Sequence, residues 1–248
     1  MWRLSAMSIF YDCLGVLRDV LSLIMPRSCL ACGRVLSENE KCICLACRYN
    51  MPVTNFAKHK ENAMKQLFEN VMPVESAAAM FWFMGGTEWQ RIIHTFKYHG
   101  RWLFAQQMGE WLGEELRDGG NFDDVELIIP IPLHYRRRLF RGYNQSEQLA
   151  LGIGRKMGIE CNFGAVRRRL YNDTQTSKSR TERWGNVESI FEVRKVEQLR
   201  GKHILLVDDV LTTGATMSSC ALSIIRACEG DVKISVASLA VSKRVAKD

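Results

Sequence analysis

The stretch from Lys202 to Thr216, reading KHILLVDDVLTTGAT, constrains the fold of this chain more than any other. The apolar residues Ile204 to Val207 run directly into two adjacent carboxylates, Asp208 and Asp209. Val210 and Leu211 follow, then the small residues Thr212, Thr213, Gly214 and Ala215, and a helix opening near Thr216. An apolar run without alternation is a strand buried on both faces, and such a strand needs helices above and below it. Two carboxylates at its tip are costly to desolvate unless something uses them; a helix-capping pair is the bland alternative. The Thr/Gly turn leaves backbone N–H groups free, and the positive end of the helix adds to them, so a phosphate can be held there without a lysine. The carboxylates then lie a sugar's length away, where vicinal hydroxyls can donate to them.

The rest of the chain repeats this alternation. From about Val74 the pattern gives an apolar run Ala77–Phe83, helical periodicity over 88–98 and 102–116, and a buried strand over 125–130. A helix Gln145–Met157, an Arg-rich irregular stretch, a strand over 203–207, a helix over 216–228 ended by Gly230 and a strand over 232–241 follow. Strands alternating with helices predict an α/β domain with a parallel sheet flanked by helices, whose ligands bind beyond the carboxyl ends of the strands.

Four of the nine cysteines have metal spacing. Cys29 and Cys32, then Cys44 and Cys47, are two CxxC pairs eleven residues apart, and together they make a tetrahedral sulfur cage for Zn²⁺. Four protein thiolates leave no open position for water, so the metal is structural and holds a segment too short to build its own core. Arg27, Arg34, Lys41 and Arg48 offset the negative charge of the cage, and Cys42 is a spare thiol able to replace Cys44. Cys13, Cys161, Cys220 and Cys228 read as small buried apolar residues. Upstream, Ile9, Leu14, Leu17, Leu21 and Ile24 predict a helix over 8–25 that Pro26 stops. The expected organisation is an N-terminal helix and zinc ribbon over 1–53, a polar connection over 54–73 and the α/β domain over 74–248.

The net charge is +7, and between His134 and Arg183 there are 12 Lys and Arg against 4 Asp and Glu, which more than accounts for it. Most charge runs are solvated faces. Clustering this tight also focuses a positive potential on which a phosphate ester, pyrophosphate or nucleic acid can dock.

VDDVLTTGAT resembles the phosphoribosyl-pyrophosphate loop of type I phosphoribosyltransferases, and together with the four-cysteine ribbon it resembles the ComF family, phosphoribosyltransferase-like proteins associated in some bacteria with DNA uptake. Phe96-Lys-Tyr-His-Gly100, Ile129-Pro-Ile-Pro-Leu-His134, Arg141-Gly-Tyr-Asn-Gln-Ser146, Thr174-Gln175 and Arg183-Trp-Gly-Asn186 agree with it. The resemblance implies a type I phosphoribosyltransferase-like fold with an N-terminal zinc ribbon. It implies Asp208 and Asp209 as the catalytic pair on the ribose hydroxyls, and Val210, Leu211, Thr212, Thr213, Gly214, Ala215 and Thr216 around the 5′-phosphate of phosphoribosyl pyrophosphate, taken with Mg²⁺. In an enzyme, the phosphoribosyl group would pass to a nitrogen nucleophile. The family's association implies single-stranded DNA and a DNA-uptake helicase as partners, and with them the alternative of a non-catalytic nucleotide- or DNA-binding component of an uptake apparatus.

Ile128 to Pro132 is a strand ended by two prolines, which stop sheet pairing and throw the chain into a loop. Arg136, Arg137, Arg138 and Arg141 then project on the same sheet edge as Asp208, where guanidinium forks suit a pyrophosphate or other polyanion. Arg183, with Arg180, Trp184 and Asn186, is a further candidate, Trp184 for stacking on a base. Arg167, Arg168 and Arg169 precede a Ser/Thr-rich loop able to close over a site or to contact a nucleic-acid backbone. Gly152, Gly154 and Gly158 lack the GxGxxG spacing and follow no strand, no GxxxxGK[ST] run occurs, and the five His show no metal spacing. No stretch is apolar enough to span a membrane and no signal peptide is evident, so the expected place is the cytoplasm, without membrane insertion.

Overall fold

The computed structural model describes residues 26–97, 102–169 and 190–246. The chain divides into two compact units, Met1–Met51 and Pro52–Asp248; the helix expected over 8–25 lies outside the described residues.

In the first unit the chain doubles back at an antiparallel bridge between Ser28 and Val35, closed by Cys29 N–H to Arg34 O at 2.7 Å and Leu36 N–H to Arg27 O at 2.7 Å. Helix α1 (Leu45–Tyr49) carries the second cysteine pair. Glu40 ties the two parts, accepting from the amides of Ser37 (2.8 Å) and Leu45 (2.6 Å). Apart from cysteines, only Ala31, Leu36 and Ile43 are buried apolar residues among the described residues of this unit, too few for a free-standing core.

The second unit begins with Pro52 to Thr54 running antiparallel to the outer side of strand β1 (Ala77–Phe83). Trp82 N–H donates to Pro52 O at 2.8 Å and Thr54 N–H to Met80 O at 3.1 Å. The polar stretch that follows folds onto the domain. Phe56 packs edge-on against Trp82 at 5.2 Å, and Asn62 caps a short helix α2 (Ala63–Glu69) whose Met64 and Phe68 are fully buried. The Asn62 amide also donates to Ala77 O at 2.9 Å, which fixes α2 to the start of β1.

Helices α3 (Glu88–Lys97) and α4 (Trp102–Gly119) lead to β2 (Leu127–Pro130). The arginine stretch after Pro132, expected as a loop, is helix α5 (Tyr135–Arg141). His134 starts it by accepting the Arg136 N–H on Nδ1 at 3.3 Å, and Gly142 ends it in the left-handed conformation at φ 81°. Helix α6 (Gln145–Met157), a two-residue strand β3 (Glu160–Cys161), and an antiparallel pair β4 (Val166–Arg168) and β5 (Phe191–Val193) come next. The last elements are β6 (His203–Leu211), α7 (Ala215–Ala227) and β7 (Lys233–Ser242).

Five strands form one parallel sheet in the order β1-β7-β6-β2-β3, flanked by helices, as the sequence pattern predicts. Its centre is dry: Ile204 to Val207, Val236 and Ala237 are fully buried, which explains the unbroken apolar runs. Strand β6 is longer than expected, running through the acidic pair to Leu211. Its pairing with β2 ends at Pro130 opposite Val207, whereas β7 continues alongside, with Asp208 opposite Ser238 and Leu211 opposite Val241. From β2 the chain moves outward to one edge of the sheet, and from β6 outward toward the other. The carboxyl ends of these two neighbours therefore diverge, and a crevice opens where they part.

Of the glycines that resemble a broken nucleotide fingerprint, Gly152 belongs to a packing seam with Gly109, whereas Gly158 ends α6 in the left-handed conformation. A Cβ on Gly109 of α4 would overlap the Leu149 carbonyl oxygen of α6, and one on Gly152 the carbonyl oxygen of Gln106. Backbones this close tolerate no side chain, so Gly152→Ala is expected to destabilise the chain by about 3 kcal/mol, read as a lowered urea midpoint. An unchanged midpoint would mean the seam relaxes freely.

Candidate functional site

Pro130 and Pro132 have no N–H, and the last bond between β2 and β6 is Ile131 N–H to Val207 O at 2.8 Å. Past it, Asp208 to Val210 present an open edge to the crevice, which holds a cavity of about 130 Å³. One wall is acidic, made of Asp208 and Asp209. The facing groups are Arg137 and Arg141 from α5 and Arg168 from β4.

Asp208 is held in place before any ligand arrives. Its Oδ1 accepts from Ser146 Oγ at 2.9 Å and from the Asp209 N–H at 2.8 Å, and Asp209 Oδ1 accepts the Val210 N–H at 2.8 Å. Each carboxylate keeps a second oxygen. Burial, and then the neighbouring Asp209 charge, push Asp208 up to about 7. Ser146 reaches it because α6 starts beside the crevice, with Asn144, Gln145 and Ser146 all buried and Asn144 tied to Ile131 O at 3.1 Å.

The arginines divide by role. Arg141 is aimed by a 3.0 Å bond to Gln145, whereas Arg138 turns outward to Glu147 at 3.2 Å, an exposed pair of small energetic weight. Arg136 lies over the Tyr135 ring at 5.9 Å. Arg183, Arg180, Trp184 and Asn186 lie outside the described residues. Arg168 was not separable from Arg167 and Arg169 in the sequence, yet strand alternation turns it inward while Arg169 pairs with Glu192 at 3.1 Å. Its guanidinium sits 5.6 Å over the Phe191 ring, and its buried Nε has no acceptor among the described residues. Burial, with Arg137 beside it, lowers its pKa. An anionic oxygen is one group that could satisfy an orphaned donor here.

Beside the acidic pair, residues Val210 to Met217 enclose a smaller hollow of about 40 Å³. Gly214, left-handed at φ 73°, is the residue before α7, which opens at Ala215, one position earlier than expected. First-turn amides of a helix have no intrahelical acceptors, so those of Ala215, Thr216 and Met217 suit an anion. A Cβ on Gly214 would come within 3.0 Å of Phe68 Cε1, so α2 backs the turn directly.

In the first unit, the ligand atoms of Cys29, Cys32, Cys44 and Cys47 lie within 4.8 Å of one another, with Cys32 Sγ 3.7 Å from Cys44 Sγ. A Zn–S distance of about 2.3 Å in a tetrahedron requires sulfur–sulfur edges of about 3.8 Å, so the cluster fits zinc. Cys42 stands outside it, with Leu30 N–H donating to its carbonyl at 3.0 Å. Burial opposes ionisation of Cys29, but the amides around it bring it down to about 7, while burial pushes Cys47 up.

Residues 141–247 match the phosphoribosyl transferase domain family. The chain is 29% identical over 131 residues to Competence protein F of Haemophilus influenzae, a match covering 51% of this chain and 57% of that protein. It is 31% identical over 138 residues to the DNA utilization protein YhgH of Shigella flexneri, covering 54% and 60%. With Competence protein ComFC of Bacillus subtilis it shares 27% identity over 212 residues, covering 85% and 75%. The chain thus spans somewhat more than half the length of the first two homologues. No helix among the described residues is long and apolar enough to cross a membrane.

Proposed function

We propose, from this phosphoribosyl transferase domain and its competence-protein homologues, that the second unit binds phosphoribosyl pyrophosphate and transfers its phosphoribosyl group to a nitrogen nucleophile. The observation that carries the reading is the crevice itself, with two carboxylates facing three arginines beside a turn of helix-opening amides. The 5′-phosphate takes the amides of residues 212–216. The ribose hydroxyls donate to Asp208 and Asp209, whose negative charge also opposes the positive charge developing at the anomeric carbon. Arg137, Arg141 and Arg168 receive the pyrophosphate, which enters with its own Mg²⁺. The free oxygens of the acidic pair are the hard donors such an ion prefers, and Ser146 keeps Asp208 turned toward it.

Calorimetric titration with phosphoribosyl pyrophosphate and Mg²⁺ tests this, followed by pyrophosphate release across nucleobases. Saturable binding that needs both is expected; heat indistinguishable from inorganic phosphate would sink the reading.

One observation favours a second reading, a surface for single-stranded DNA. Helix α5 has no buried residue, and it exposes Leu139 and Phe140 by 80% and 79% among its four arginines. Arginines able to track phosphates lie there beside apolar side chains on which bases can stack. Binding of an oligonucleotide should fall steeply with salt. Arg136→Ala with Arg138→Ala, both away from the crevice, should flatten the log–log slope by about 1.4, since each single-strand phosphate neutralised contributes about 0.7. A slope unchanged by the pair would remove α5 from any DNA path.

A further inference from the structure

We infer that His134 is a positioning residue for the crevice: as the neutral cap of α5 it holds Arg137 toward the acidic pair, and protonating it frees the first turn of that helix and with it the grip on pyrophosphate. The inference rests on the phosphoribosyl reading of the crevice and gives that site a regulation by pH.

Helix α5 does not owe its place to packing. None of its seven residues is buried, and Leu139 and Phe140 stand in solvent. A helix this short is not stable by propensity alone, so its ends decide whether it forms. The C-terminal end is secured twice, by Gly142 N–H to Arg138 O at 2.8 Å and by the Arg141 guanidinium donating to Gln145 at 3.0 Å. The N-terminal end rests on His134. That residue is buried, its Nδ1 accepts the Arg136 N–H at 3.3 Å, and its carbonyl accepts the Arg138 N–H at 3.0 Å. Arg137 lies within this first turn and lines the crevice.

Only the neutral ring can serve as the cap. Accepting on Nδ1 requires the ring proton to sit on Nε2, whereas the imidazolium carries a proton on both nitrogens and turns a donor toward a donor. It also sets a cation against the positive end of a helix. The charged groups that meet the ring are all of that sign: Arg136 and Arg137 of α5, and Arg168 of β4. The Tyr135 ring, 4.5 Å away, adds no charge. Burial, and then these guanidinium groups, hold His134 below the ordinary histidine value. The ring is thus harder to protonate when it caps than when it is released. The cap is complete above about pH 6.5, weakens as pH falls below that value, and is lost once pH has passed the lower value of the folded chain.

The test compares three chains at equal pH. His134→Asn keeps a strong capping acceptor that cannot titrate, and His134→Leu keeps an apolar body without an acceptor. In NMR spectra of the ligand-free protein, the helical shifts of residues 135–141 should fade in the parent between pH 8 and pH 5. They should persist in the Asn variant and be weak throughout in the Leu variant. Titration with phosphoribosyl pyrophosphate and Mg²⁺ then reads the site. Asp208 titrates on the opposite wall, but in all three chains alike, so the ratio to the parent isolates His134. The Asn variant should match the parent at pH 8 and bind about fivefold more tightly than it at pH 5, the shift that loss of a helix cap brings. The Leu variant should bind about fivefold more weakly than the parent at pH 8 and equal it at pH 5. Helical shifts that do not change with pH in the parent, or an Asn variant whose affinity falls with the parent's, overturn this inference alone. If phosphoribosyl pyrophosphate fails to bind the parent at either pH, the reading of the crevice falls, while the titration of α5 in the ligand-free chain still decides whether His134 is its proton-sensitive cap.

Discussion

One zinc ion per chain is the expected result of metal analysis on protein prepared under reducing conditions, and its removal should unfold residues 26–50. The ribbon has Ala31, Leu36 and Ile43 for a core and little else besides its cysteines. A structural zinc site contributes an apparent binding free energy of roughly 10–16 kcal/mol near neutral pH, far more than three small apolar side chains can supply. Chelation should therefore erase amide protection throughout the ribbon, and Cys44→Ser should do the same. Protection of Ile204 to Val207 should persist, because that strand belongs to a separate compact unit with its own core. Zinc-free protein with a protected ribbon would refute a structural metal.

Changing Asp208 and Asp209 together to Asn should separate sugar from phosphate. Inorganic phosphate needs only the amide turn and should bind as before. Phosphoribosyl pyrophosphate should lose about 1.5–3 kcal/mol for each hydrogen bond to a charged acceptor, and any turnover should fall further. Undiminished binding by the double variant would exclude the acidic pair as the ribose site. The pH dependence has a definite sign. Ligand hydroxyls and a cation select the ionised form of Asp208, whose folded value is about 7. Affinity should rise with pH below that value and level off above it. Stability of the ligand-free chain runs the other way. A carboxyl raised from about 4 to about 7 by folding holds more protons folded than unfolded between those limits, so stability falls as pH climbs through them. The single change Asp208→Asn should accordingly stabilise the empty chain by about 2–4 kcal/mol at pH 8 and by almost nothing at pH 4. A site residue that weakens the fold it belongs to is held for its ligand.

Legibility in the sequence followed burial. Ile204 to Val207 announced β6, and the paired CxxC spacing announced the sulfur cluster, because each signal is local and strong. The strand's extension to Leu211 was hidden, since Asp-Asp looks like an ending; what sustains it is the partner β7, whose small Ser238 and Ala240 lie opposite. The helical state of Tyr135–Arg141 was masked by the prolines before it, and its start depends on His134 acting as a cap, a role any of several side chains can fill. Arg168 could not be told from its neighbours without knowing that β4 is a strand, since period-two alternation alone turns it inward. Asn144, Gln145 and Ser146 did carry a signal: three polar residues opening an otherwise apolar helix face are unusual unless the opening is enclosed and used.

The short run Pro52 to Thr54 along the outer side of β1 has a consequence for solubility. Without it, β1 would offer seven residues of Ala, Met, Phe and Trp with unpaired amides, a template on which another chain could add a strand. At the opposite margin β3 is only two residues long and offers little to pair with. The sheet is thus shielded from sideways growth by three residues that contribute nothing to the crevice. A shortened chain that starts at Pro52 retains that shield, whereas one that starts at Asn55 exposes the bare margin and should accumulate as aggregates even though every group around the crevice is still present.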